Sequence, residues 1–411
     1  MDQNERPKIR MIDAMPVEVQ GRRCIYLRDP MKLACNDLAL PIEVAFILTL
    51  INGMNTVLDI KAEFARRTGL TIGSDHVEQL LDTLDQNLML DNVRFQNALA
   101  DLEMSFRQSP TREPFLAGTS YPADPGEITA MIDGFYRHEK GPGTTPVLGA
   151  GEPVRGLVAP HIDVSSGGPA FAWAYHALAQ SNPPDRFVIL GTGHQGADNL
   201  FALTMKDFET PLGVATTDKT FVDRLASEAP VDYFKDELLH RTEHVIEFQV
   251  LFLQHLYGGS ARFPIVPILC SFDPEFFFRS EFNRQTEIFR DFVSRLNRTI
   301  AESPGRTCVI ASVDLDHIGP RYGDNVHPGQ TEINRSLDAD RELLALLSNG
   351  DDERFLHTVR RLNPRHKICG FSPLYTMIKA MHLGTGRLLS LDYTTVDNQN
   401  SFVTFAAMVF S

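Results

Sequence analysis

Val309-Ile310-Ala311-Ser312-Val313-Asp314-Leu315-Asp316-His317-Ile318-Gly319 is an apolar, strand-like run that breaks into two carboxylates and a histidine. Two other segments share this arrangement. Val154–Ala159 runs into Pro160-His161, and Phe187–Leu190 runs into Gly191-Thr192-Gly193-His194. Short apolar runs bounded by turn residues fit strands buried on both faces. In an open α/β sheet the ligand crevice lies beyond the carboxyl ends of the strands, so three histidines at three such ends can meet at one point. A fourth segment, His366-Lys367-Ile368-Cys369-Gly370-Phe371-Ser372-Pro373, sets a thiol just ahead of a predicted helix.

Working outward, strands alternate with helical stretches from about Glu113 to the end. Helices are expected over 126–138, 169–179, 219–227, 245–256, 280–301, 331–347 and 371–381. Strands are expected over 154–159, 187–190, 263–269, 308–312, 387–396 and 402–410. This alternation predicts an α/β domain over 106–411: a mostly parallel mixed sheet with helices on both faces, its last two strands an antiparallel addition. Gly141 to Pro153 reads as a Gly/Pro loop.

The chain of 411 residues exceeds what one hydrophobic core usually holds, so two domains are expected. No apolar run reaches the length of a membrane span, and Met1-Asp2-Gln3-Asn4-Glu5-Arg6 lacks a signal-peptide core, which predicts a cytoplasmic protein. Cys24, Cys35, Cys270, Cys308 and Cys369 are odd in number and widely spaced, a pattern of reduced thiols. Cys270 and Cys308 fall at or in strands and read as core. A net charge of −14 argues against binding to nucleic-acid backbones and anionic lipid.

Residues 1–105 read as a separate winged-helix-like module: a strand over 22–28, a buried helix over 41–51, and a helix capped by Asn55-Thr56 and ended by Gly69. A third helix follows Gly73-Ser74, carrying Val77, Leu80, Leu81, Leu84 and Leu88 at helical spacing. A strand pair around Asp91-Asn92 is expected to close the module as a hairpin. Residues 105–112 read as a polar joint. The module holds 11 Lys/Arg against 16 Asp/Glu, a balance that repels DNA and leaves a docking or structural role.

The chemistry-bearing residues lie in the second domain. His161 follows its strand directly, a placement that fits either a ligand or a cap on backbone carbonyls. His194 lies beyond Gly191 and Gly193, which remove side-chain bulk and would let a ligand approach. In His240-Arg241-Thr242-Glu243-His244-Val245-Ile246-Glu247-Phe248-Gln249, positions 244 and 247 are helical neighbours. They suit a metal ligand with its carboxylate partner, a paired acid and base, or an exposed acidic helix start. Asp314, Asp316 and His317 share one loop, where a carboxylate can orient an imidazole. Cys369 sits at a helix start whose dipole favours a thiolate, although a buried, inert cysteine is the commoner case. His76, His138, His176, His255, His327, His357 and His382 receive no role.

Together the motifs resemble the Memo family, called AmmeMemoRadiSam system protein B in prokaryotes. The likeness rests on Arg112–Pro122 with Ala117-Gly118-Thr119-Ser120-Tyr121-Pro122, then Ala159-Pro160-His161 and Leu190-Gly191-Thr192-Gly193-His194. It continues through Glu243–Gln249, Asp314–Gly319 and Ile368-Cys369-Gly370. The resemblance implies a fold similar to LigB-like class III extradiol dioxygenases, which use non-haem iron. It carries the family's metal-binding His, His and Cys onto His161, His194 and Cys369, and its pocket residues onto His244, Glu247, Asp314 and His317. Two departures stand out. Ile162-Asp163-Val164-Ser165-Ser166 replaces a tyrosine-bearing stretch, and Asp397-Asn398-Gln399-Asn400 replaces a Gly-rich turn. Leu38–Leu50, Thr56–Arg67 and His76–Leu90 resemble the PqqD-like peptide-recognition modules.

These resemblances imply a metal-dependent redox or dioxygenase-like enzyme with catalytic groups at His244, Glu247, Asp314 and His317. The ligand set His161, His194 and Cys369 favours iron(II), with copper or zinc as alternatives, over magnesium or calcium. The alternative is a non-catalytic scaffold that docks a peptide at its N-terminal module, or radical-SAM and AMMECR-like partners of the same system.

Overall fold

The computed structural model describes residues 5–34, 36–258, 263–363, 365–381 and 383–411; Cys35 and His382 lie outside them. The chain divides into two compact units, Met1–Gln108 and Ser109–Ser411.

In the first unit β1 (Asp13–Val19), β2 (Arg22–Arg28) and β3 (Leu38–Pro41) form an antiparallel sheet with β2 central. β1 escapes the sequence reading because Pro16 interrupts it, and a proline is tolerated there because β1 is an edge strand. The helices are α1 (Ala45–Leu50), α2 (Val57–Thr68), α3 (Ser74–Gln86) and α4 (Val93–Gln108). α2 has the expected ends, a Thr56/Asp59 capping box and a left-handed Gly69. α3 buries Val77, Leu81 and Leu84 against Ile60, Ile25 and Leu27. The helix expected over 41–51 is shorter, because residues 38–41 pair with β2. The closing hairpin expected at Asp91-Asn92 is also corrected. Asn92 Oδ1 accepts the Phe95 N–H at 3.1 Å and starts α4, which replaces both that hairpin and the first half of the expected polar joint.

The second unit contains, in order, β4 (Thr111–Arg112), α5 (Pro125–Arg137), β5 (Gly156–Ala159), α6 (Val164–Ala179), β6 (Arg186–Thr192), β7 (Phe201–Leu203), β8 (Asp207–Thr210) and β9 (Gly213–Ala215). There follow α7 (Lys219–Ala226), α8 (Leu239–Thr242), α9 (Val245–Tyr257), β10 (Ile265–Cys270), α10 (Asn283–Glu302), β11 (Thr307–Ser312) and β12 (His317–Ile318). The last elements are α11 (Gln330–Ser348), α12 (Asp352–Leu362), α13 (Phe371–Ala380), β13 (Gly386–Thr395) and β14 (Phe402–Phe410).

The main sheet runs β12-β14-β5-β11-β6-β10-β7, with β13 along β14. Its centre, β5-β11-β6-β10, is parallel, and antiparallel strands flank it on both sides. The sheet is mixed, and β13 and β14 are the antiparallel addition expected. Alternate residues of each central strand enter opposite cores. Val188 and Leu190 of β6 join residues of α7, α10, α11, α12 and α13, while Phe187 and Ile189 join residues of α5, α6 and α9. Burial on both faces is why the strands read as continuous apolar runs.

α6 starts at Val164, five residues before the expected Pro169, because Asp163 caps it through the Ser165 N–H at 3.0 Å. Gly168 lies in the first turns of α6, where a Cβ would lie 2.3 Å from the Phe135 ring of α5, so a glycine is needed for packing. Cys270 and Cys308 are fully buried in β10 and β11. No described helix is long and apolar enough to cross a membrane.

Candidate metal centre

The parallel strands end level with one another. Ser312 of β11 pairs with Ala159 of β5 on one side and Gly191 of β6 on the other. The residues just beyond these ends therefore lie in adjacent rows at the carboxyl edge of the sheet.

His161 is 2% exposed, and its Nδ1 lies 2.9 Å from the Ser312 carbonyl oxygen. A carbonyl oxygen only accepts, so Nδ1 carries the proton. Burial, reinforced by His194 and His244, holds the ring pKa well below its ordinary value, so the imidazole is neutral and Nε2 is a lone pair. Nε2 faces Cys369 Sγ at 3.2 Å.

His194 is supported by a residue the sequence reading passed over. The buried Glu243 carboxylate accepts the His194 N–H at 2.9 Å and lies 3.0 Å from His194 Nδ1. It also accepts the His244 N–H at 3.1 Å and lies 3.0 Å from His244 Nδ1. Burial would raise the Glu243 pKa, but the two histidines bring it well below the usual carboxylate range. An ionised carboxylate only accepts, so it anchors both rings by Nδ1 and leaves their Nε2 atoms to other partners. The ring centroids are 5.0 Å apart for His161 and His194, 5.6 Å for His161 and His244, and 5.3 Å for His194 and His244.

The ligand atoms of His161, His194 and Cys369 lie within 4.8 Å of one another, as do those of His194, Glu243 and His244. Burial would lower the His194 pKa, but Cys369 and Glu243 raise it to about 11. Burial pushes the Cys369 thiol up against the influence of His194, so the start of α13 does not by itself make a thiolate. Two imidazole nitrogens and a thiol, each drawn from a different segment, suit a borderline-to-soft metal ion, which would take the place of the proton that His194 holds.

Asp314 clamps these segments together. Its Oδ1 accepts the N–H groups of His161 and Ile162, both at 3.0 Å. Its carbonyl accepts the Gly370 N–H at 3.0 Å and the Cys369 S–H at 3.6 Å. Burial raises its pKa to about 6 despite the His161 and Ile162 N–H bonds. His317 stands beside the cluster, its Nδ1 3.1 Å from the Leu315 carbonyl oxygen and its ring edge-on to Tyr322 at 4.9 Å.

Glu247 does not pair with His244. Its carboxylate is fully buried, bound to Arg112 and the Tyr121 hydroxyl, and accepts the Phe115 and Leu116 N–H groups at 3.0 Å each. Arg112, also fully buried, donates to the carbonyls of His240 at 2.9 Å and Glu243 at 3.0 Å. Residues 112–121 thus form a strap holding α8 to α9. His240 is likewise structural, its Nε2 3.0 Å from the Ala202 carbonyl oxygen. The glycines beside His194 also serve packing rather than ligand access. A Cβ on Gly191 would lie 2.2 Å from Val245 Cγ2, and one on Gly193 2.1 Å from Ser271 Oγ. Gln249, which the reading quoted without a role, donates to the Pro160 carbonyl at 2.7 Å and Ser312 Oγ at 2.8 Å.

The profile of the Memo-like protein family matches residues 112–409. A MEMO1 family protein of Aquifex aeolicus is 28% identical over 408 residues, covering 98% of this chain and all of the relative. One from Methanopyrus kandleri is 34% identical over 314 residues, 73% of this chain and 98% of the relative. One from Thermus thermophilus is 27% identical over 66% of this chain. With that profile spanning the strap, the three strand ends and the thiol, the chain belongs to the Memo-like family.

Proposed function

We propose that the second unit is a metal-dependent oxidoreductase of dioxygenase-like character. Its metal is held by Nε2 of His161, Nε2 of His194 and Sγ of Cys369. One observation carries this reading: the Ser312 carbonyl and the Glu243 carboxylate each hold an Nδ1, and ligand atoms of the two rings converge with one thiol within 4.8 Å. The ligand set favours iron(II), then copper or zinc. Bound there with a coordination position open, iron or copper would supply Lewis acidity and one-electron redox chemistry.

The chain's own residues do the rest. Asp314 fixes the His161 backbone and the Cys369 loop. His244, anchored at Nδ1 by Glu243, presents Nε2 to the same space and serves as the proton-holding group. His317, close enough to His194 to be influenced by its charge, exchanges protons with the crevice. Glu247 has a structural role only.

The test is metal content by mass spectrometry after purification, and after anaerobic loading with iron(II) or copper(I). The parent and Cys308→Ser are expected to retain metal, and His161→Ala, His194→Ala and Cys369→Ser to lose it. Stoichiometric metal in all three ligand variants would sink the assignment.

A further inference from the structure

Behind the loop that carries Asp314 and His317 lies a cavity of about 450 Å³ that holds none of the three proposed metal ligands. Ile318, Val326 and Pro328 give it an apolar side, and Arg335, Arg365 and His366 a basic one. His366 is 7% exposed and built into place. Its Nδ1 lies 2.5 Å from Asp316 Oδ2, an oxygen that also accepts the Ser336 hydroxyl at 2.6 Å. Asp316 Oδ1 accepts the Lys367 N–H at 3.0 Å. A carboxylate so surrounded acts only as acceptor, so it holds Nδ1–H and leaves His366 Nε2, which has no protein partner among the described residues, on the cavity side.

The acidic groups at this cavity are already engaged. Asp324 is bound by Lys367 Nζ at 2.7 Å and the Gly319 N–H at 2.8 Å. Glu332 accepts the Gly329 N–H at 3.1 Å at the start of α11. Arg335 and Arg365 are exposed; the Glu332 carboxylate lies near enough to be influenced by both charges, but among the described residues neither arginine has a carboxylate within ion-pair distance. Two guanidinium forks beside a fixed imidazole are a recognition set for a planar or tetrahedral oxyanion. The apolar residues of the same cavity suit a short hydrocarbon or ring.

We propose that this cavity is a second ligand site, separate from the metal centre, for a small molecule bearing one carboxylate or phosphate head on an apolar frame. Arg335 and Arg365 take the head, His366 Nε2 orients it, and Ile318, Val326 and Pro328 cover the frame.

Calorimetric titration of the full chain, stripped of metal by a chelator, with benzoate and with phenyl phosphate tests this. Saturable binding of at least one probe is expected, with neutral benzamide about tenfold weaker or more. Binding of benzoate alone identifies a carboxylate head, and of phenyl phosphate alone a phosphate head. Arg335→Gln with Arg365→Gln, both on the surface and so expected to melt with the parent, should weaken binding by about tenfold or more. Cys369→Ser and Arg137→Gln on α5 should leave it unchanged. Absence of saturable binding, or equal binding of benzamide, would overturn the proposal. So would loss of binding in Cys369→Ser with retention in the double arginine variant, which would place the oxyanion at the metal centre instead.

Discussion

Glu243 and Glu247 are four residues apart in the same motif and have opposite duties. Glu243 holds His194 and His244, so Glu243→Gln should loosen both rings and weaken metal retention by about tenfold to a hundredfold, at a melting temperature near the parent's. Equal metal retention in the variant would count against its supporting role. Glu247 neutralises a fully buried arginine, so Glu247→Gln should cost about 3–5 kcal/mol of stability, read by denaturant unfolding of the second unit. The placement of His161 and His194 was legible because each interrupts an apolar run at a strand end, and that of Cys369 because it stands just before a helix. Glu247 was misread because helical spacing shows which residues are neighbours, but not that a partner 135 positions away, Arg112, claims the carboxylate. Glu243 left only a faint signal, a carboxylate directly before a histidine.

At the scale of elements, the strands of the parallel core were legible to within a residue or two, since burial on both faces writes a continuous apolar run. What escaped were the very short elements β7, β8, β9, β12 and α8, the amphipathic α12, and elements whose signal is local and contradictory: β1 with its proline, the glycine-rich first turns of α6, and α4 beneath a hairpin-like Asp-Asn. Packing between elements was less legible still. Gly191 lies against the first residue of α9, so Gly191→Ala should push Val245, and His244 with it. A loss of about 1–3 kcal/mol and weaker metal retention are expected, with partial recovery in Gly191→Ala/Val245→Ala. Additive losses in that double variant would show the close approach to be incidental.

The described residues form three cores, two on the faces of the main sheet and one in the first unit, and the first unit should respond to acid in its own way. Arg10 Nη1 donates to Asp29 Oδ1 at 2.8 Å, and Asp29 also accepts the N–H groups of Met31, Leu33 and Ala34. Burial would raise the Asp29 pKa, but these bonds bring it below its ordinary value. A depressed carboxylate stabilises the fold above its unfolded pKa of about 3.9 and loses that contribution as pH falls through the lower folded value. Melting of the first unit, followed by calorimetry, should therefore fall as pH drops below about 4, and Asp29→Asn should melt lower at neutral pH and respond less to acid in that range. An unchanged acid response would remove Asp29 from the explanation.

The strand order has a consequence for how the protein is made. β5 and β6 emerge early with both histidines, yet they are not neighbours: β11 lies between them. Until Thr307–Ser312 has left the ribosome and inserted, nothing sets His161 beside His194, and Cys369 follows later still. A nascent chain halted before β11 carries two of the three proposed ligands and no site. Closure of the proposed metal centre thus requires the central strands and the Cys369 segment together, and ion uptake would report that the parallel core has assembled.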